Sequence, residues 1–347
     1  MFEHVPTELL HRAMHPKVSY GRHILADTLH QVQSTYGVQR VTILTQQEPW
    51  ALAKEQFSQE NQERLIYLRS MEQNELVKME DELPPTDIVF GLGGGQAMDA
   101  AKYVAWRRNI PLILAPTIVS VDAAVTNTIA VREGQRVRYI GFVVADAIPV
   151  DLAVIAKAPK DLNRAGIGDL LSIHTALWDW QFVGDEFDTA IAKEVRAILD
   201  GIEVRAEAIA ECSDEALNYI MESYVRENTL CLQVGNSRPE EGSEHFLGYN
   251  IEYITGQGYV HGQLICLCTY VMARLQDNNP EWVYSLIERT RCPWQLNKLG
   301  ISREAFIKAL LTLKEYAQAE RFPASVISLR QITTAFAEQV ARECERR

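Results

Sequence analysis

The chain has 347 residues, enough for two domains and a substantial core. Its 46 acidic against 34 basic side chains give a formal net charge of −12 with no basic block to offset it, which argues against a nucleic-acid partner. No apolar run approaches the roughly 18 to 20 residues that cross a bilayer, and Met1-Phe2-Glu3-His4-Val5-Pro6 lacks the basic start and apolar core of a secretory signal, so a cytoplasmic protein without membrane insertion is expected.

In the first half, short apolar runs at Val41–Thr45, Leu65–Leu68, Asp87–Phe90 and Pro111–Ala115 alternate with amphipathic stretches. That alternation predicts a parallel sheet covered by helices. The segment Thr126–Val144 differs, because Ile129-Ala130-Val131-Arg132 and Val137-Arg138-Tyr139-Ile140 flank Glu133-Gly134-Gln135; it predicts a β-hairpin projecting from the sheet. A further short run, Ala153-Val154-Ile155, precedes a turn at Ala158-Pro159. After about Asn163 the pattern becomes helical, with predicted helices over Asp169–Phe182, Thr189–Cys212, Asp214–Gly235, His245–Thr255, Gly262–Leu275, Pro280–Arg291, Ser302–Tyr316 and Leu329–Glu345. The expected organisation is therefore an α/β nucleotide-binding domain over residues 1–163 and an all-helical domain over 164–347, with the active site in the cleft between them. Cysteines 212, 231, 266, 268, 292 and 344 show no C-x-x-C spacing and are expected as buried thiols.

Two local patterns carry chemistry. The run Gly91-Leu92-Gly93-Gly94-Gly95-Gln96-Ala97-Met98-Asp99-Ala100-Ala101-Lys102 follows a predicted strand and opens a predicted helix. Glycines at Gly93, Gly94 and Gly95 would let a dinucleotide pyrophosphate approach the main chain, with the helix N-terminus adding its positive end. The run is neither a P-loop nor a G-x-G-x-x-G fingerprint, and a plain tight turn is the alternative. On that helix Asp99 could cap the turn, and Lys102 could counter a phosphate or hold Asp99; a solvated i, i+3 pair is the other reading. Downstream lie Gly168-Asp169, Gly242-Ser243-Glu244-His245 and Tyr259-Val260-His261-Gly262. One carboxylate and two imidazoles form a donor set common for a catalytic divalent metal, although a lone Asp also caps helices and a lone His also serves structure.

The order glycine-rich turn, Pro116-Thr117 with Ser120 and Asp122, Gly166-Ile167-Gly168-Asp169, His245 and His261 resembles the superfamily of metal-dependent, iron-containing alcohol and polyol dehydrogenases, from about residue 16 to about residue 275. Its members include glycerol dehydrogenase, glycerol-1-phosphate dehydrogenase and the related dehydroquinate synthases. The segment Asn236-Ser237-Arg238-Pro239-Glu240-Glu241-Gly242-Ser243-Glu244-His245 is most similar to the glycerol-1-phosphate dehydrogenase branch, as are Ala156 to Leu162 and Asp179-Trp180. The resemblance implies a dehydroquinate synthase-like fold, a Rossmann-like α/β domain followed by an all-α domain, and a homo-oligomer. It implies NAD or NADP, held by the glycine turn with Asp99 and the hydroxyls of Thr117, Ser120 and Thr126. It also implies one divalent metal, Zn, Fe or Ni, on Asp169, His245 and His261, with Asp122 orienting a second substrate hydroxyl. The implied activity interconverts a small polyol or polyol phosphate and its ketone or aldehyde, Asp122, Asp169 and Tyr249 being the groups at the substrate.

Three positions depart from that pattern. The glycerol-1-phosphate branch has a substrate-contacting histidine four residues after its first metal histidine; this chain has Tyr249, a neutral donor one helical turn from His245. Where NAD-using relatives often carry an acidic residue after the first sheet strand, this chain has Gln46, which removes repulsion toward a ribose phosphate and admits NADP beside NAD. After Asp122 the chain reads Ala123-Ala124-Val125-Thr126-Asn127 in place of a glycine and small polar residues, which points to a different or larger substrate. The rival activity is a sugar-phosphate cyclase of the dehydroquinate synthase type, which needs basic side chains to hold phosphate; Lys102, Lys157, Lys160, Arg164 and Arg238 are the candidates. A non-catalytic member is disfavoured because all three ligand positions are intact.

Overall fold

The computed structural model describes residues 5–183 and 186–346. Two compact units divide them: one holds the chain up to Asn163 together with Leu217–Thr229, the other Arg164–Ala216 and the chain from Leu230 onward.

Eight strands lie in the first unit: β1 Val18–Gly21, β2 Val41–Thr45, β3 Leu65–Tyr67, β4 Ile88–Gly93, β5 Leu112–Pro116, β6 Ile129–Glu133, β7 Arg136–Ile140 and β8 Ile148–Asp151. Four of them form a parallel sheet in the order β3-β2-β4-β5, with Ile43 opposite Leu65 and Phe90, and Phe90 opposite Ile113. Strands β2, β4 and β5 are buried along their whole length, which is why they read as unbroken apolar runs. Helices Leu25–Tyr36 and Gln47–Ala53 bury Leu25, Leu29 and Trp50 in one cluster with Ile43, Phe90 and Ile113. At that size of apolar burial each such side chain stabilises the unit by about 1.5–3 kcal/mol. Strands β6 and β7 pair antiparallel around Gly134, whose φ of +62° suits glycine at the turn, so the predicted hairpin is present.

A parallel pair, β1 with β8, was not anticipated. The sequence suggested a run at Ala153-Val154-Ile155, but those residues belong to a helical turn, Leu152–Ile155, and the strand lies upstream. Asp151 decides this. Its buried carboxylate accepts N–H bonds from Ala153 (2.9 Å), capping the turn, and from His23 and Ile24 (both 3.0 Å), fastening β8 beside the end of β1.

In the second unit the described residues are helical and contain no strand. Three predicted helices differ by more than two residues at an end or are interrupted, and the other five by two or fewer. Thr189–Cys212 divides at Arg205 into Thr189–Val204 and Ala206–Glu211. Ser302–Tyr316 divides at Thr312 into Arg303–Leu311 and Leu313–Glu320. Both break residues sit in the bridge region, with ψ near zero (10° and 2°), where the apolar stripe persists although the helix does not. The last helix starts at Thr334 and not at Leu329, because the Thr333 hydroxyl caps it by accepting from the Phe336 N–H (3.1 Å). The helix Asp214–Val234 is continuous, capped by Ser213 and ended by Gly235 at φ +83°. Its middle, Leu217–Thr229, groups with the first unit: Tyr224 donates to the Val119 carbonyl (3.0 Å) and Asn228 to that of Val125 (3.2 Å).

Candidate active site

Asp169, His245 and His261 each lie in the first turn of a helix: Ile167–Phe182, Ser243–Thr255 and His261–Gln276. What brings the first and third together is glycine. A Cβ on Gly168 would fall inside the backbone of Gly262, so the two helices touch main chain to main chain one residue away from Asp169 and from His261. His261 Nε2 then stands 3.2 Å from Asp169 Oδ1. One ligand atom from each of Asp169, His245 and His261 lies within 4.8 Å of the others, and the two imidazole centroids are 5.4 Å apart. Asp169 and His245 are buried, whereas the His261 side chain is 30% exposed.

A second layer fixes these groups. Glu244, fully buried, accepts from His245 Nδ1 (2.9 Å), from the Gly242 N–H (2.5 Å) and from the Thr175 hydroxyl (2.7 Å). In the neutral ring the proton is therefore held on Nδ1, and the Nε2 lone pair of His245 is left for the cluster. Asp179, also buried, accepts the N–H groups of Ser243 and Val326 (both 2.7 Å) and the Gln276 amide (3.1 Å), which sets where the helix bearing His245 begins. Burial and the neighbouring Glu244 push the Asp179 carboxyl up to about 6. Gly242 is required here, since a Cβ would approach Asp179 Oδ2 to 2.8 Å. Glu252 accepts the Tyr259 N–H (3.2 Å) and so shapes the turn that delivers His261.

This arrangement draws positive charge. Burial opposes protonation of His245, yet the Glu244 hydrogen bond and the charges of Glu241, Glu244 and Asp169 outweigh it and hold its pKa at about 9. Burial likewise opposes charge on His261, and Asp169 overrides it, raising that pKa as well. Two imidazoles that favour cations beside buried carboxylates, with one carboxylate oxygen and two ring nitrogens in reach of one point, fit a divalent metal ion.

In the first unit, β4 runs through Gly91 and Gly93, and Gly94 precedes the helix Gly95–Arg108, whose start no side chain caps. Added side-chain carbons would press on Ala101 at Gly91, Ala97 at Gly93, Ile118 at Gly94 and Val121 at Gly95. These contacts give the glycines a packing role as well as an open backbone. Gln46, at the end of β2, donates to Gln96 (3.2 Å) beside the turn. Thr117 is buried and its N–H donates to the Gly93 carbonyl (2.9 Å); Ser120 is buried and Asp122 half-buried. Asp99, Lys102 and Thr126 meet in one cluster. Lys102, 1% exposed, reaches Asp99 Oδ1 (2.8 Å), the Thr126 hydroxyl (3.3 Å) and the Thr128 carbonyl (3.0 Å). Of the readings open for the Asp99 and Lys102 pair, the solvated one is excluded. Lys102 holds Asp99.

The chain matches the family described as iron-containing alcohol dehydrogenase over residues 23–159. It is 30% identical over 259 residues to glycerol-1-phosphate dehydrogenase [NAD(P)+] of Hyperthermus butylicus, covering 74% of this chain and 73% of that one. The chain belongs to the iron-containing alcohol dehydrogenase family. The enzyme of the same name from Aeropyrum pernix is 28% identical over 262 residues, with 74% and 73% covered. Among solved structures, glycerol dehydrogenase from Schizosaccharomyces pombe shares the fold with a TM-score of 0.72 at 21% identity, covering 95% of this chain and 89% of that one. NADH-dependent butanol dehydrogenase A from Thermotoga maritima does so at 0.73 and 14% identity, covering 94% and 96%. The expected dehydrogenase superfamily and its two-part fold are thus present, and as a member of this family the chain is an oxidoreductase.

Sequence reasoning missed several residues that shape this family member's site. Glu244, Thr175 and Glu252 went unassigned, and Asp179 was noticed only as part of a similar segment. Asn163 also belongs with them: its amide donates to the Ile155 carbonyl (2.9 Å) and its oxygen accepts the Val119 N–H (3.2 Å), fixing the loop that carries Ser120 and Asp122. Tyr249 is half-buried, with its ring centroid 6.2 Å from that of His245, and its hydroxyl donates to Glu241 (3.1 Å). Of the basic candidates for holding phosphate, Lys102 is spent on Asp99, Arg164 donates to the Ala210 carbonyl and Arg238 to that of Ala324 (both 2.8 Å). The other two candidates, Lys157 and Lys160, are exposed.

Proposed function

We propose that this oxidoreductase is a metal-dependent NAD(P)-linked dehydrogenase interconverting a small polyol, or a polyol phosphate, with its ketone or aldehyde. The observation that carries this reading is the convergence of Asp169, His245 and His261 with Glu244 behind His245. Asp169, His245 and His261 would hold one divalent ion, zinc, iron or nickel, which when bound supplies Lewis acidity to the substrate oxygen. Glu244 keeps the His245 tautomer and orientation. The names of the curated relatives specify glycerol 1-phosphate and NAD(P)+, which supports the cofactor and the polyol class.

In the α/β unit, Gly93, Gly94 and Gly95 would take the cofactor pyrophosphate against main-chain N–H groups, with Thr117, Ser120 and Thr126 as hydroxyl partners. Asp99 would act through Lys102, which it orients. Gln46 would face the adenosine ribose and accept either NAD or NADP. Asp122 would orient a substrate hydroxyl, and Tyr249 would offer a phenol beside the reacting carbon. Hydride exchange itself is the chemistry of the nicotinamide. Six free cysteines support a reducing, cytoplasmic setting, and we extend the reading to a homo-oligomer. No described helix is long and apolar enough to cross a membrane.

The test follows nicotinamide absorbance with metal-loaded protein, NADH or NADPH, and dihydroxyacetone, dihydroxyacetone phosphate or short aldehydes. Metal-dependent net oxidation of the cofactor is expected. Tight cofactor binding without net oxidation for any substrate would instead favour a cyclase.

A further inference from the structure

We infer that Glu241, held against Tyr249 beside the His245 ring, makes this site select a substrate presenting a hydrogen-bond donor, a hydroxyl or an ammonium, and reject one presenting a phosphate there. This deepens the dehydrogenase reading and rests on it.

Tyr249 OH donates to Glu241 Oε1 at 3.1 Å, and no other described residue hydrogen-bonds that carboxylate. Both side chains are half-buried. The Tyr249 ring lies 6.2 Å from that of His245, which places the pair beside the histidine. A carboxylate offers acceptors and no donor, so Glu241 makes this corner of the site an acceptor surface. Behind it stand aromatic rings: Phe322 stacks on Phe246 at 4.6 Å and meets Tyr249 at 5.8 Å.

A phosphate needs charge-assisted donors. Here it would meet a like-charged carboxylate in a partly dry site, where repulsion is screened less than in water. The nearest arginine in sequence, Arg238, is 5% exposed and donates to the Ala324 carbonyl. A hydroxyl or ammonium beside the reacting carbon finds an acceptor instead.

The experiment compares metal-loaded wild type with Glu241→Gln and Glu241→Ala, each checked by circular dichroism. The readouts are kcat/KM for dihydroxyacetone, its amino analogue 1-amino-3-hydroxyacetone and dihydroxyacetone phosphate, and calorimetric binding of glycerol 1-phosphate. In both variants the ratio of phosphorylated to unphosphorylated kcat/KM should rise by about tenfold or more, and glycerol 1-phosphate should bind more tightly by a similar factor. The relative rates with dihydroxyacetone and 1-amino-3-hydroxyacetone tell whether the donor is hydroxyl or ammonium. Adding Tyr249→His to Glu241→Gln should gain more than the two single changes combined, because Glu241 neutralises an imidazolium at 249 until it is removed. A wild type that favours dihydroxyacetone phosphate, or variants that bind glycerol 1-phosphate no better, would overturn the inference. Absence of any nicotinamide turnover would instead remove the dehydrogenase reading, and the calorimetric comparison would still decide the role of Glu241.

Discussion

At Glu244 one buried carboxylate serves three donors, the His245 ring, the Gly242 N–H and the Thr175 hydroxyl. Glu244→Gln keeps the size but replaces one acceptor oxygen by an amide that donates, and it removes the charge facing His245. Metal affinity should fall by about 10- to 100-fold, read by competition with a chelator; unchanged affinity would contradict the positioning role. His261→Ala removes a donor outright, so bound metal and turnover should both be lost while the circular dichroism spectrum stays. Full metal content in that variant would refute the triad. At the cofactor side, Gln46→Asp is expected to raise the NAD to NADP ratio of kcat/KM, since a carboxylate accepts from ribose hydroxyls and repels a ribose phosphate. An unchanged ratio would count against placing Gln46 there. Asp169, His245 and His261 could be singled out from sequence because their residue types recur beside glycines in a known order. Glu244 could not, because in the string it is one glutamate among many, and only its burial and three donors distinguish it.

The Ile167–Phe182 helix combines two demands. Gly168 must lack a side chain to meet Gly262, so Gly168→Ala should force the helices apart and destabilise the protein by about 3 kcal/mol or more, with loss of metal. Denaturant unfolding with metal analysis would measure both. Nearly two turns further, His174 is 4% exposed, its Nε2 lies 2.7 Å from the Asn278 carbonyl, and its ring is 4.9 Å from that of Trp282. Burial lowers its pKa from 6.5 to about 4, with nearby Arg196 adding to the shift against the Asn278 hydrogen bond. The unfolded chain then binds the extra proton between those values. The contribution of this histidine is therefore present above pH 6.5 and lost as pH falls toward 4. In His174→Leu the dependence of stability on pH in that window should weaken by up to about one proton; an unchanged slope would contradict the assignment. Periodicity revealed the helices of this unit but not their breaks at Arg205 and Thr312, because an apolar stripe continues across a single bridge-region residue.

For the whole chain, the parallel sheet was readable from fully buried strands, whose side chains are apolar on both faces. The β1 and β8 pair was not: Val18-Ser19-Tyr20-Gly21 is short and half-exposed, and Pro149 within β8 reads as a breaker. The two units should also answer different ligands. Because a ligand stabilises only the fold that binds it, chelation should lower hydrogen-exchange protection in the helices bearing Asp169, His245 and His261 and leave β2, β4 and β5 unchanged. NADH should do the converse, protecting the glycine turn. A uniform change across both units would contradict this division. The unequal burial of the triad adds a kinetic consequence. With Asp169 and His245 enclosed and the His261 side chain 30% exposed, an ion held by these three residues would meet solvent on the His261 side. The lifetime of such an ion would then depend on how often one side chain, at the first position of its helix, swings outward.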